Sequence, residues 1–407
     1  MRQRILTLMG VAAVVSVVSL VSVLGQAPTT ARQTGPAPKT SWGDPDLQGI
    51  WDTTPVQIPL QRSAKNAGKE FFTDAEIAEL NAKKAKLPGK ETRSVRGTEV
   101  DLAGAYNSVF TQRKPTGRRT SLIVDPPDGR IPPQTPEVQK RNAEFRALYY
   151  EFVRSTGTCK NKWPGCEGGT YYPVPSPKRL EPLPSFPAGD LIGQGGHINR
   201  SDGPEDRGNS ERCMTSILPD FTGLRQIVQS PDTVSITYDT GQGQGFQRVI
   251  PIMSAPHLPP HVQQPRGDSR GRWEGDTLVV DVTNFTPRWE FQGSRENLHL
   301  IERWTRAGPD TLEYVVTLDD STTWTKPWTV KQEYAKTDDG LNRIYKEPRC
   351  FEGNYGLIGA LAGARAKELA FAEGRGPDPA TTNVSTPTGS ANILAVTAGE
   401  EDDDPLR

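Results

Sequence analysis

The sequence has 407 residues and a formal net charge of −1, with 48 Lys and Arg against 49 Asp and Glu. Such a balanced chain has no overall field to attract nucleic acid or anionic lipid, so neither is expected as a partner. Hydrophobic residues make up only 34% of the chain, whereas Gly and Pro number 39 and 36. This composition predicts strands, turns and long loops rather than a helical protein.

Residues 1–25 have the pattern of a secretory signal peptide. Arg2 and Arg4 precede an apolar run from Ile5 to Leu24, and cleavage is expected before Gln26. The sequence therefore predicts a periplasmic or secreted protein with no membrane insertion after signal cleavage. A retained anchor is the alternative, because the run is close to the length that spans a bilayer.

The cysteine content agrees with export. The chain has four cysteines, Cys159, Cys166, Cys213 and Cys350. An even number in an oxidising compartment predicts two disulfides, and we favour Cys159 with Cys166 and Cys213 with Cys350. No pair has the CxxC spacing of a zinc site, so no metal is predicted.

The chain after the signal divides into a linker, one domain and a tail. Residues 26–43 are rich in Pro, Thr and Ala and predict a disordered linker. Residues 44–376 predict a single β-rich domain with helical and loop insertions at about 73–215. Its first strand, Asp46 to Trp51, has a Gly two residues before the Trp, as in the first strand of lipocalin-like barrels.

Two helices are predicted in the insertion. Thr73 and Glu76 form a capping box that opens the first helix. Thr135, followed by Pro136 at the first helical position, opens the second.

The region from Arg225 to about Tyr345 contains successive short strands. They are separated by Ser-Pro-Asp, Gly-Asp and Gly-Pro-Asp turns. This spacing predicts a mainly β fold, an antiparallel meander that closes into a lipocalin-like barrel and so removes exposed edges. A C-terminal helix from about Leu357 and a disordered acidic tail over 377–407 complete the chain.

Several long motifs carry a resemblance to a known family. They are DLQGIWD, DGRIPPQTPEVQKR, GDSRGRWEGDTLVV, ENLHLIERWTR, TTWTKPWT and EGNYGL. Over most of residues 44–370 the chain resembles a large family of exported bacterial proteins of unassigned activity, so the resemblance implies export but no substrate. Members usually carry His after the last Cys, where this chain has Phe351.

The richest candidate for a functional site is the stretch 257–306, which holds three of the four histidines. In the strand from Asn297 to Trp304, alternation places Asn297, His299 and Arg303 on one face. The predicted catalytic set is His299 as general acid or base, Asp268 or Glu274 as its carboxylate partner, Arg303 and Asn297 as stabilisers of negative charge, and Tyr355. The predicted substrate-binding set is Trp273, His257, Asp320, Trp324 and Trp328, at the barrel mouth.

These residues predict a cofactor-free enzyme, a lyase or isomerase, that acts by elimination, isomerisation or hydration. Its substrate would be a small organic molecule or a saccharide. The alternative is an exported carrier of a small molecule. A third possibility is a structural envelope protein with no pocket. The site residues themselves also have a structural interpretation, in which the carboxylates make turns and the tryptophans form core. The two prolines between His257 and His261 remove helical metal-ligand spacing, so no metal role is assigned to that pair.

Overall fold

The computed structural model describes residues 38–53, 56–86, 115–153, 203–204, 218–221, 223–241, 244–287, 290–337 and 355–379, without the side chains of 145–153, 240, 241, 244, 355 and 356. All of these belong to one unit, Gly35–Arg407. The signal segment, the four cysteines, Phe351 and most of the tail lie outside the described residues. Their predicted roles, including the disulfide pairing, therefore stay predictions.

The described residues form a ten-stranded sheet. Its strands are β1 (Gly49–Thr53), β2 (Ile123–Asp125), β3 (Leu224–Ser230), β4 (Thr233–Gly241), β5 (Gln244–Pro251), β6 (Asp268–Glu274), β7 (Thr277–Thr283), β8 (His299–Gly308), β9 (Thr311–Asp319) and β10 (Trp328–Thr337). The order along the sheet is β5-β4-β3-β1-β10-β9-β8-β7-β6, and β2 pairs with β10 off this path. Each described pairing of named strands is antiparallel.

The two edge strands, β5 and β6, approach each other and nearly close the sheet into a barrel. A nine-strand antiparallel path makes them run in the same direction, and Ile252 just after β5 forms a parallel bridge with Gly271 of β6. The Met253 amide donates to Gly271 O at 3.1 Å. The predicted mainly β fold, an antiparallel meander closing into a barrel, is confirmed.

Strand β1 lies between β10 and β3 in the sheet, although both of these strands are far from β1 in the sequence. Gly49 opens the strand at φ 136°, a conformation that favours glycine. The Trp51 ring is fully buried, and its Nε1 donates to Leu47 O at 2.9 Å. The Gly-x-Trp pattern therefore marks the strand that completes the barrel.

The predicted turns connect the predicted strands. Two-residue loops join β3 to β4 through Pro231–Asp232, β6 to β7 through Gly275–Asp276, and β8 to β9 through Pro309–Asp310. Gly275 has φ 61°, in the left-handed region that such tight turns require. The turn chemistry in the sequence was thus sufficient to locate these hairpins.

Three α-helices are described, α1 (Asp74–Lys86), α2 (Pro136–Val153) and α3 (Tyr355–Ala372). The predicted capping box is present: the Thr73 amide donates to Glu76 Oε2 at 2.8 Å, and the Glu76 amide donates to Thr73 Oγ1 at 3.3 Å. Helix α2 begins at Pro136, as predicted. The preceding Thr135 amide donates a hydrogen bond to Thr323 O in the β9–β10 loop. No described helix is both long and apolar enough to cross a membrane.

The barrel interior holds aromatic rings and charged groups together. Trp304 packs on Tyr314 with ring centroids 4.1 Å apart, and Tyr334 lies 6.0 Å from Trp304. In the same interior, Arg248 Nη2 lies 2.6 Å from Glu302 Oε2, and both side chains are almost completely buried. Since burying charge is costly without partners, this ion pair is a feature that the sequence pattern does not reveal.

Candidate functional site

His299, the first residue of β8, forms a carboxylate–imidazole pair with Asp281 of β7. Its Nε2 lies 2.9 Å from Asp281 Oδ1, and the two side chains are 39% and 31% exposed. Asp281 stands opposite Ile301 in the β7–β8 register, so it meets His299 diagonally across the two strands. The contact leaves Nδ1 as the ring nitrogen of His299 that does not engage Asp281.

His257 lies between two carboxylates. Its Nδ1 is 2.9 Å from Asp268 Oδ2, and its Nε2 is 3.1 Å from the same Asp281 Oδ1 that His299 contacts. A neutral imidazole carries one N–H, whereas an imidazolium carries two. Both ring nitrogens of His257 are therefore engaged by carboxylate oxygens.

The Asp268 carboxylate is the buried end of this arrangement. Its Oδ2 also accepts from the Leu258 amide at 3.0 Å, and its Oδ1 accepts from Arg270 Nη1 at 2.7 Å. The side chain is only 6% exposed, and these donors compensate its burial. The five side chains Arg270, Asp268, His257, Asp281 and His299 form a chain of alternating basic and acidic groups, named here the His–Asp cluster.

The His–Asp cluster lies on the outer face of the barrel. Val280 and Val282, which flank Asp281, are both in the hydrophobic core, and so is Leu300, next to His299. Because side chains alternate between the faces of a strand, Asp281 and His299 point away from the core. The predicted barrel-mouth position is therefore corrected for His299, which lies at the start of β8 but on the outer face of the barrel.

The segment after β5 covers this outer face and is held there by Asn284. Asn284 has φ 60°, a left-handed conformation that Asn tolerates better than most residues. Its Nδ2 lies within donating distance of three carbonyl oxygens, Leu258 O at 2.9 Å, Pro259 O at 3.0 Å and Val262 O at 3.1 Å. Together with the His257 contacts, this fixes the segment beside the strand ends.

An open cavity of about 240 Å³ lies between this segment and the start of β8. Its polar lining consists of Gln263, Thr283, Asn284, Glu296, Asn297 and His299, and Pro260 and Leu298 complete it. His299 is thus shared between the cluster and the cavity. The arrangement places one end of a fixed charge network at the wall of a solvent-accessible, mostly polar site.

Two predicted catalytic residues, Glu274 and Arg303, lie further along the same outer face. Arg303 Nη2 is 2.5 Å from Glu274 Oε2, and Arg272 Nη2 is 2.7 Å from Glu274 Oε1. Hydrogen bonds from Arg303 and then Arg272 lower the pKa of Glu274 below its ordinary value. Neither Glu274 nor Arg303 lines the cavity beside His299.

Asn297 does line the cavity, and its Nδ2 donates to Thr322 Oγ1 at 3.2 Å. Tyr355 is the first residue of α3, and its side chain lies outside the described part of the chain, so its catalytic role stays a prediction. Of the predicted catalytic set, the structure brings His299 and Asn297 to the same cavity, and it does not bring Asp268, Glu274 or Arg303 there. The predicted carboxylate partner is also corrected: His299 contacts Asp281, and Asp268 is linked to that carboxylate through His257.

The predicted tryptophans do not line the cavity either. Trp324 and Trp328 are fully buried and pack edge to face at 5.4 Å. Trp273 is partly buried against the core. The structural interpretation, in which these rings are core, fits their positions.

Asp320 organises the loop between β9 and β10. Its Oδ2 accepts from Ser294 Oγ and Thr323 Oγ1, both at 2.6 Å, and its Oδ1 accepts from Thr322 Oγ1 at 2.6 Å. Burial acts to raise the pKa of Asp320, but the hydrogen bonds from these three hydroxyls outweigh it and hold the pKa below its ordinary value. This carboxylate is committed to the loop and does not line the cavity.

Sequence reasoning missed Asp281, the carboxylate shared by both histidines. A signal was present: Asp281 is the only charged residue of the strand TLVVDVT, among valines and threonines. Such a residue is either a solvated position or part of a polar site, and only the register with β8 decides between them. Among the described residues, no group of three or more His, Cys, Asp or Glu is arranged to hold a metal ion.

Comparison with known proteins gives only distant structural likeness. No family model matches the chain, and no curated protein matches it. Among solved structures, the chain is similar to secretory abundant heat soluble protein 4 from Ramazzottius varieornatus, at 16% identity and a TM-score of 0.20, over 28% of this chain and 69% of that one. It is also similar to a mutant of the fluorescent protein UnaG, at 14% identity and a TM-score of 0.18, over 28% of this chain and 71% of that one. Both TM-scores are below 0.5, so the fold assignment rests on the strand order of the chain itself.

Proposed function

We propose that the protein binds a small polar molecule in the open cavity beside His299. The observation that carries the proposal is the coupling of this cavity to the His–Asp cluster through His299. Most of the residues that line the cavity are polar, which favours a ligand recognised by hydrogen bonds over an apolar one.

The wall of the cavity is preorganised. His257 is held by Asp268 and Asp281, and Asn284 holds the same segment through three carbonyl oxygens. A site whose groups are already fixed loses less conformational entropy when the ligand arrives. This favours recognition of a ligand with a defined arrangement of polar groups.

The size of the cavity limits the ligand. Its volume of about 240 Å³ is below the roughly 300–1,000 Å³ of sites for drug-sized ligands. A single polar ring, such as a monosaccharide, is the class that we propose. An exported protein would meet such ligands outside the cytoplasm.

A second candidate function is acid–base catalysis on the same ligand class. The observation that favours it is the 2.9 Å contact between His299 Nε2 and Asp281 Oδ1. A carboxylate that holds one ring nitrogen orients the other for proton transfer, which suits elimination, isomerisation or hydration. His299 would then exchange the proton through Nδ1.

The test is a His299→Gln variant assayed for both binding and turnover against a panel of monosaccharides and their derivatives. A binding protein should lose affinity for its ligand in this variant, whereas an enzyme should keep affinity and lose turnover. His261→Gln is the matched control, because His261 is exposed in the same segment and does not line the cavity. If no compound of the panel binds the wild-type protein, or if His299→Gln changes neither property, the proposal is refuted.

A further inference from the structure

We propose that the ligand of this cavity is a small cationic hydrogen-bond donor, a polar ring that carries an ammonium group. The inference rests on the proposed function and specifies its ligand class. It follows from which hydrogen-bonding atoms of the wall are already engaged within the protein and which are left to meet a ligand.

The side-chain donors of the wall are largely engaged. Asn284 Nδ2 donates to carbonyl oxygens of the covering segment, and Thr283 Oγ1 donates to Asn284 Oδ1 at 2.8 Å. Asn297 Nδ2 donates to Thr322 Oγ1. The oxygen of the Asn297 amide is an acceptor only, so it can meet a ligand only if the ligand donates.

His299 provides a further hydrogen-bond acceptor at the cavity wall. Its Nε2 faces Asp281 Oδ1, so Nδ1 is the ring nitrogen left to meet a ligand. The contact fits the tautomer in which Nε2–H donates to Asp281 Oδ1. In that tautomer Nδ1 carries a lone pair and accepts a hydrogen bond from the ligand.

The charge of the cavity lining also favours a cationic ligand. Among the described residues that line the cavity, Glu296 is the only acidic or basic one besides His299, and its side chain is 41% exposed. Its ion-pair contact is with Arg295, whose Nε lies 3.9 Å from Glu296 Oε2, beyond hydrogen-bonding distance. The Gln263 amide can serve as donor or acceptor and so accommodates either kind of ligand group.

An ammonium group fits this wall better than a hydroxyl or a carboxylate. It carries three N–H donors and no acceptor, and its hydrogen bond to a carboxylate such as Glu296 is charge-assisted. A carboxylate ligand would meet Glu296 with like charge. A neutral hydroxyl would form hydrogen bonds to the same acceptors without the charge contribution.

The proposal is tested with three rings that differ in one substituent: D-glucosamine, D-glucose and D-glucuronate. Titrations by calorimetry at neutral pH and low salt should give an affinity for glucosamine about two- to fivefold above that for glucose, because solvent screens an ion pair with a carboxylate that is 41% exposed. Glucuronate should bind more weakly than glucose. Glu296→Gln should remove most of the preference for glucosamine, because Gln keeps a hydrogen-bonding side chain but loses the charge, whereas Glu137→Gln, at an exposed position of α2, should leave the preference as it is.

A second measurement addresses His299 without any ligand. Nitrogen-15 NMR of the labelled histidines should show His299 with a protonated Nε2 and a bare Nδ1, and Asp281→Asn should shift this tautomer signature. A doubly protonated His299 at neutral pH would overturn the inference. If glucose or glucuronate binds as tightly as glucosamine, the inference is wrong and the proposed function stands. Absence of binding by all three rings overturns the inference, and the wider panel of monosaccharides then decides the proposed function.

Discussion

The buried ion pair between Arg248 and Glu302 gives the sharpest prediction about the barrel itself. The two side chains are 4% and 0% exposed, and Arg248 Nη2 lies 2.6 Å from Glu302 Oε2. Tyr314 donates its hydroxyl to Glu302 Oε1 at 2.7 Å, and Arg248 Nε donates to Ser269 Oγ at 2.9 Å. Burial acts to lower the pKa of Arg248, but the Glu302 carboxylate outweighs it and the pKa is raised, so the guanidinium stays charged.

The first substitution in the pair should therefore lower the free energy of unfolding far more than the second substitution added to it. Glu302→Gln leaves the Arg248 charge buried without its counter-ion, which costs about 3–5 kcal/mol of the free energy of unfolding. In that background, Arg248→Met removes an uncompensated charge and should cost less than in the wild type, by about 2 kcal/mol. Urea unfolding of the four proteins measures this coupling through the midpoint, provided that the slope is unchanged.

The exposed pair Glu274 and Arg303 on the outer face is the matched control. It joins β6 to β8, whereas the buried pair joins β5 to β8, so both pairs include a residue of β8. Solvent screens an exposed pair, so Glu274→Gln and Arg303→Met should be additive and cause no measurable loss. If the buried pair is also additive, to within about 0.5 kcal/mol, the charges are not coupled and the reasoning fails.

Two further predictions concern the barrel seam and the β9–β10 loop. A Cβ on Gly271 would lie 2.8 Å from Ile252 Cδ1 and 2.9 Å from Ile250 Cγ2, so Gly271→Ala should lower the free energy of unfolding, measured in urea, by about 1–3 kcal/mol. Gly308→Ala is the control, because the nearest atom to its Cβ would be 3.9 Å away. Equal effects of the two substitutions would contradict close packing at the seam. Hydrogen bonds hold the pKa of Asp320 below 3.8, so its carboxylate stabilises the fold above that pH and this contribution is lost as the pH falls through the lower folded-state value. Asp320→Asn should therefore be less stable at neutral pH and lose less stability on acidification, whereas parallel stability curves against pH would refute this assignment.

The fold could be predicted from the sequence because its information is local. Turn residues at 231–232, 275–276 and 309–310 located the hairpins, and the capping pair of Thr73 and Glu76 located a helix. Each of these signals acts within a few residues, where chain chemistry alone decides the conformation.

The side-chain chemistry was harder to predict because it depends on register and closure. Arg248 and Glu302 meet only because the edge strands of the sheet come together, and no spacing in the sequence relates them. Asp281 joins His299 only through the β7–β8 register. Trp324 and Trp328 carry the same aromatic signal whether they face a ligand or the core, so their burial could not be read from the sequence.

The described barrel interior holds stacked rings and buried charge, whereas the proposed site lies on the outer face. Arg225 stacks on Tyr238, with its guanidinium carbon 4.3 Å from the ring centroid, and Tyr238 in turn stacks on Phe246 at 4.3 Å. On the other side Trp304 and Tyr314 pack at 4.1 Å. These rings and the buried ion pair of Arg248 and Glu302 lie in the described interior, and rearranging them would carry the cost of uncovering buried charge. The outer face at the start of β8 combines an open cavity with fixed polar groups, so a ligand can enter there without disturbing the core.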